Sequence, residues 1–265
     1  KLSNCCKLNY KYKEALEFCK LPLKNEAFIS MDIKLELLLN KAEILMLLKE
    51  YDSSLDEIES IEEFNEELSE EYLFTLNMLK GQCYRENKYY RDALEVYKSL
   101  KEGDGALDKS KILCININII GIYILLRDNR NIRKHIDESL VLISSNRQLY
   151  KEKRGAEIFS GLAKGFKFIS EDERAAEYYN HAIYSAKRNK QYEILTDALE
   201  NLFEIFEKKK ALHEVDNIKN ELLELISTNA INNDNTLIFK VIGFYNAMDD
   251  KESIEGIVSF ILNHQ

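Results

Sequence analysis

The step from Gly81 to Ala93 constrains this chain more than any other feature. Gly81 is followed one helical turn later by Tyr84. Twelve residues after Gly81 stands Ala93, then Leu94, and Tyr97 one turn further on. A small residue on each of two consecutive helical stretches, each beside an aromatic, lets two antiparallel helices approach closely while rings fill the space around the crossing. The spacing predicts that Gly81 and Ala93 meet where the helices cross. Lys101 then falls on the turn that follows.

The same step recurs. Ala42 pairs with Ser54, followed by Leu55 and Ile58; Ala163 pairs with Ala175, followed by Ala176, Tyr179 and Ala182. Weaker copies join Gly121 to Arg133, Leu202 to Glu214 and Ile242 to Ile254. Tyr12, Ala15, Leu16 and Cys19 read as the second helix of a pair whose first helix is cut short. The second-helix marks are therefore Ala15, Ser54, Ala93, Arg133, Ala175, Glu214 and Ile254, spaced by 39, 39, 40, 42, 39 and 40 residues. The stripe Ile132, Ile136, Leu140, Ile143 advances in steps of four, four and three, which is helical.

This pattern resembles the tetratricopeptide (TPR) repeat, with Asn77 where the consensus carries its leading tryptophan. The unit is longer than the usual repeat of about 34 residues, as helices of roughly 16–18 residues joined by short turns require. The predicted fold is all-α: a TPR-like α-solenoid of antiparallel helix pairs, one continuous domain over residues 1–265, with six full pairs after the partial first one. Right-handed superhelicity is what the resemblance implies. Because the chain opens in the middle of a repeat, further residues are expected before Lys1.

Composition agrees. In 265 residues there are one proline, Pro22, and nine glycines, so little punctuates the helices. The net charge of −9, with no basic run longer than Lys208-Lys209-Lys210, argues against direct binding to a phosphate backbone. Five cysteines without a C-x-x-C pair point to a reducing, cytoplasmic setting and not to a disulfide framework. The most apolar stretch, Ile112 to Leu126, carries Asn116 and Asn118 and is too short to span a bilayer, so no membrane partner is expected.

No catalytic or metal-binding signature emerges. The four histidines His135, His181, His213 and His264 form no H-E-x-x-H, and His135 with Glu138 reads as a surface pair. Glycine-rich phosphate loops and G-x-S-x-G are absent. The acidic run Glu62, Glu63, Glu66, Glu67, Glu70, Glu71 reads as a solvated face around a turn. The chain is therefore expected to be no enzyme, with no cofactor and no metal.

Binding is the better expectation, because repeat arrays present extended surfaces. In a TPR array the first helix of each pair lines the concave side. Counting from Gly81 and its equivalents places Asn40, Gln82, Arg85, Asn118, Lys164, Lys167, Phe203 and Asn246 there. Carboxamides donate to and accept from a peptide backbone, and Lys164, Lys167 and Arg85 suit a terminal carboxylate or acidic side chain. Asn118, set between Ile117 and Ile119, is the least comfortable as an ordinary surface asparagine.

The long degenerate repeats also resemble those of the RRNPP superfamily of peptide-sensing regulators, including the Rap, Rgg, NprR and PlcR groups. That resemblance implies a pocket for a short signalling peptide, with Asn40, Asn118 and Asn246, and Gln82 as a similar carboxamide, as clamps on its backbone. It also implies an N-terminal effector module before Lys1, the only route by which DNA would be a partner. A generic TPR scaffold docking a protein segment is the competing reading. The apolar last segment, Ile254, Ile257, Val258, Phe260, Ile261 and Leu262, predicts a homodimer.

Overall fold

The computed structural model describes residues 11–24, 29–64, 68–103, 107–146, 148–227, 242–243, 245–246 and 251–263. They are helical, with no strand among them. The helices are α1 (Tyr12–Leu23), α2 (Met31–Leu47), α3 (Tyr51–Glu62), α4 (Glu70–Glu86), α5 (Tyr90–Glu102), α6 (Lys109–Leu126), α7 (Asn129–Ser144), α8 (Gly155–Phe168), α9 (Asp172–Asn189), α10 (Tyr192–Lys208), α11 (Leu212–Ser227) and α12 (Lys251–Asn263). They pack as consecutive antiparallel pairs: α2 with α3, α4 with α5, α6 with α7, α8 with α9, α10 with α11. Between α11 and α12 only residues 242–243 and 245–246 are described, and they are helical. The chain divides into two compact units, residues 1–108 and 109–265.

One backbone device makes most of the turns. Lys49, Lys88, Arg127, Ser170, Lys190 and Lys210 all have φ between 55° and 66°. At each, the next residue's N–H reaches back to close the preceding helix: Glu50 N to Leu45 O, Tyr89 N to Tyr84 O and Asp128 N to Tyr123 O, each at 2.8–2.9 Å. Glu171 N to Phe166 O, Gln191 N to Ala186 O and Ala211 N to Phe206 O repeat it at 2.9 Å. This is the Schellman closure, which ordinarily uses glycine at the left-handed position. A lysine there carries the cost of a left-handed side-chain-bearing residue, partly offset by its charge at a helix C-terminus. Lys88→Gly is therefore expected to raise unfolding free energy by about 1 kcal/mol, read as a higher urea midpoint at unchanged slope.

The closures set the register of the second helices. The fourth residue after each closing residue's neighbour, at Ser54, Ala93, Ile132, Ala175 and Val215, donates its N–H to Glu50, Tyr89, Asp128, Glu171 and Ala211. Two expected marks are thus one residue off. Ile132, fully buried, takes the place assigned to Arg133, and Val215 that assigned to Glu214. Arg133 instead pairs with Glu171. A small residue is dispensable at those crossings, so spacing alone misplaced them.

In unit 1 the space beside Gly81 is filled by the Tyr97 ring. A Cβ on Gly81 would lie 2.5 Å from Tyr97 Cζ, and the Tyr97 hydroxyl donates to the Met78 carbonyl at 3.4 Å. In the preceding pair the two small positions do meet: Ser54 Oγ donates to the Ala42 carbonyl at 2.7 Å. The buried Cys83 thiol donates in turn to Ser54 Oγ at 3.2 Å, and burial pushes its pKa up. Helix α2 is apolar on two sides. Leu35, Leu38 and Ala42 join Ile58, Ile61, Leu76, Leu79 and Cys83, while Ile44 and Leu45 pack on Ala15, Leu16 and Cys19 of α1. Such a helix must be sandwiched between neighbours, as repeat stacking requires. Lys101 lies in the last turn of α5 and not on a turn. Glu62 accepts from Lys80 Nζ at 2.8 Å, so the acidic run is partly paired; Glu66 and Glu67 lie outside the described residues.

In unit 2, α6 is the core. Its 18 residues have a mean hydropathy of 1.6, enough by length and composition to cross a membrane, yet 56% of that window is buried inside the protein. Asn116, fully buried, donates to Ser139 Oγ of α7 at 3.1 Å, and Ser139 Oγ donates to the His135 carbonyl at 2.7 Å. His135 is itself buried, stacked on Tyr123 at 5.8 Å, and is not the surface residue its sequence neighbours suggest.

A 3-10 turn, Leu149–Lys151, precedes α8 and packs on α9. Tyr150 lies edge-on to His181 at 5.2 Å and tilts against Phe159 at 4.7 Å. Burial among these rings lowers the His181 pKa below its ordinary 6.5, against the opposing pull of Glu177. A depressed histidine pKa means the unfolded chain binds the proton more readily. Its contribution to stability is therefore present above pH 6.5 and falls away on acidification below it. Urea unfolding at pH 7.5 and pH 5.5 should show this loss, and His181→Phe should reduce it.

Candidate functional site

The first helices of unit 2 lie side by side, α6 against α8 and α8 against α10. Close approach of α6 and α8 depends on glycine: a Cβ on Gly161 would come within 2.8 Å of Ile117 Cβ, beside Asn118. Between α8 and α10 runs a polar ladder. Lys164 Nζ donates to Asp197 Oδ2 at 2.8 Å and Lys167 Nζ to Asn201 Oδ1 at 2.9 Å; Lys167 also pairs with Glu204. Both lysines are therefore already engaged by α10. Exposed pairs of this kind are worth little to stability, so their rearrangement around a ligand is inexpensive.

Asn118 is 6% exposed, and its Nδ2 donates to the Cys114 carbonyl of its own helix at 2.9 Å. Asn40 does the same to Glu36 O at 2.8 Å, and Asn201 to Asp197 O at 2.7 Å. These three asparagines share one place in the repeat: each stands nine residues before the left-handed residue that closes its helix, Lys49, Arg127 and Lys210. The bond back to the fourth preceding carbonyl fixes the amide plane and so the direction in which the carbonyl oxygen accepts. Asn201 was missed from sequence. The signal that finds it is its distance from the helix closure, which is invisible until the closures are known to use lysine and arginine.

The other expected residues scatter. Gln82 and Arg85 are half-buried on α4 of unit 1, where Arg85 Nη2 pairs with Glu86 at 2.8 Å. Phe203 is 5% exposed and buried on α10 among residues that include Leu199 and Leu202. Asn246 is exposed beside the buried Tyr245, whose hydroxyl donates to Lys219 O at 2.9 Å. Of the apolar terminal segment, Ile257 is 2% exposed and Val258 41%, while the side chains of Phe260, Ile261 and Leu262 lie outside the described set.

No protein-family profile and no curated protein matches this chain. Solved structures do resemble it. A signal-transduction ATPase with numerous domains and a tetratricopeptide repeat sensor, from Pyrococcus horikoshii, superposes with a TM-score of 0.59 at 16% identity. The match covers 95% of this chain and 39% of that one, so the chain spans well under half of that ATPase. BtubC from P. vanneervenii gives 0.53 at 14% identity over 89% of this chain and 91% of that one. A Rap protein complexed with competence and sporulation factor gives 0.54 at 12% identity, over 98% of this chain and 74% of that one. At these identities the likeness establishes the fold: the chain is a TPR-like helical-repeat protein.

Proposed function

We propose that this chain is a non-enzymatic peptide-binding domain of a sensory regulator, taking an extended segment along the first helices of unit 2. The observation that carries the reading is the pair of equivalently placed asparagines of unit 2, Asn118 and Asn201, each tied back to its own helix. An extended peptide cannot satisfy its own backbone groups, so a surface that excludes water from it must do so. Carboxamides on the first helices meet that need without demanding a particular sequence. Support comes from the Rap protein held with competence and sporulation factor, and from the ATPase whose tetratricopeptide repeats form a sensor. DNA enters this proposal only through a further module.

The test is calorimetry with degenerate octapeptide pools, followed by deconvolution of any pool that binds. Saturable binding, weakened in Asn118→Ala and Asn201→Ala, is the expected result. If no pool binds and pull-down recovers a large folded protein through the same helices, the domain is a docking scaffold instead.

A further inference from the structure

We infer that the outer face of α5 is a docking surface for a second copy of this chain, taken antiparallel about a two-fold axis. The inference does not rest on the peptide-binding reading, which concerns unit 2.

Two observations carry it. The first is a surface groove of about 430 Å³ on unit 1, lined by Arg91, Leu94, Glu95, Lys98, Ser99 and Glu102. All six belong to α5, and all but the half-buried Leu94 are exposed. The buried residues of the helix, Ala93 and Tyr97, lie on its opposite side. Among the described residues no ion pair engages Arg91, Glu95, Lys98 or Glu102. Arg91 with Glu95 and Lys98 with Glu102 have the spacing for pairs along the helix, and neither forms. Elsewhere such charges are met by a neighbouring repeat: Arg133 by Glu171, Lys164 by Asp197 and Lys208 by Asp172.

The second observation is the order of these charges. Along α5 they read basic, acidic, basic, acidic, at steps of four, three and four. That order is complementary to its own reversal. Arg91 and Glu102 stand equally far on either side of the point midway between Val96 and Tyr97, and so do Glu95 and Lys98. A two-fold axis through that point sets Arg91 against Glu102 of the second copy and Glu95 against its Lys98, each contact occurring twice. A parallel approach in register sets like charge against like and is repelled. The order of charges thus names the occupant, because a face complementary to its own reversal is met by another copy of itself. One helix from each copy buries less than the roughly 1,000 Å² of a lasting complex, so the association is weak, reversible and salt-sensitive.

The experiment is sedimentation equilibrium of the whole chain, up to millimolar concentration, at low and at high salt. Two double variants each reverse half of the face. Arg91→Glu with Lys98→Glu makes it wholly acidic; Glu95→Lys with Glu102→Lys makes it wholly basic. Wild type should dimerise at low salt and lose the dimer at high salt. Each variant alone should stay monomeric, and an equimolar mixture of the two should recover a dimer at least as tight as wild type. Circular dichroism and melting of both variants should match wild type, since the four side chains are exposed. A wild type that is monomeric throughout overturns the inference. So does either variant that associates as wild type does, the result expected of a dimer made through the apolar last segment. A mixture that stays monomeric overturns it too, because the charge order is then not the cause.

Discussion

Tyr97→Ala is expected to cost about 3–5 kcal/mol of unfolding free energy, the range for removing a large buried ring. The ring is fully buried and occupies the space that Gly81 leaves open, with Cζ 2.5 Å from where a Cβ would stand. The partner change makes the argument sharper. Gly81→Ala in the wild-type background pushes a methyl into that ring and costs about 1–3 kcal/mol from overpacking. In the Tyr97→Ala background the ring is gone. The same substitution then yields only its gain in helix propensity, about 1 kcal/mol. Gly81→Ala should therefore change sign between the two backgrounds. Denaturant unfolding of all four proteins measures the coupling directly, and additivity within about 0.5 kcal/mol would show that ring and glycine do not interact.

Asn118→Ala is expected to leave the fold intact and to weaken peptide binding by about 1–3 kcal/mol, a rise in dissociation constant of roughly 5- to 150-fold. Helix α6 should survive because the Cys114 carbonyl to which Asn118 Nδ2 donates keeps its place in that helix without it. Binding should suffer because a peptide group buried against the helix loses its partner. Asn201→Ala carries a second consequence. Its Oδ1 accepts from Lys167, so its loss also frees that lysine to pair wholly with Glu204. The two substitutions should therefore differ in salt dependence, with the Asn201 variant the more sensitive. Calorimetry at two ionic strengths distinguishes them.

The sequence by itself determined the helical class, the pairing and the repeat length, because each follows from local rules. Apolar stripes at helical spacing at Ala15, Ser54, Ala93 and Ala175 mark second helices, and each falls near the start of one in the structure. Cys19, read there on the second-helix stripe with Tyr12, Ala15 and Leu16, is fully buried. What only the tertiary structure decided depends on groups far apart in sequence. That the Tyr97 ring fills the space Gly81 leaves open is a matter of which rotamer occupies the gap between two helices. That Phe203 turns inward and Lys164 and Lys167 are engaged by α10 depends on where a neighbouring repeat presents its carboxylates. The left-handed closures at Lys49, Lys88, Arg127 and Lys210 carry no local signal either, because glycine is the residue that announces them. Once those closures are seen, Asn40, Asn118 and Asn201 prove to share one register within their helices, an equivalence that the step between small residues does not show.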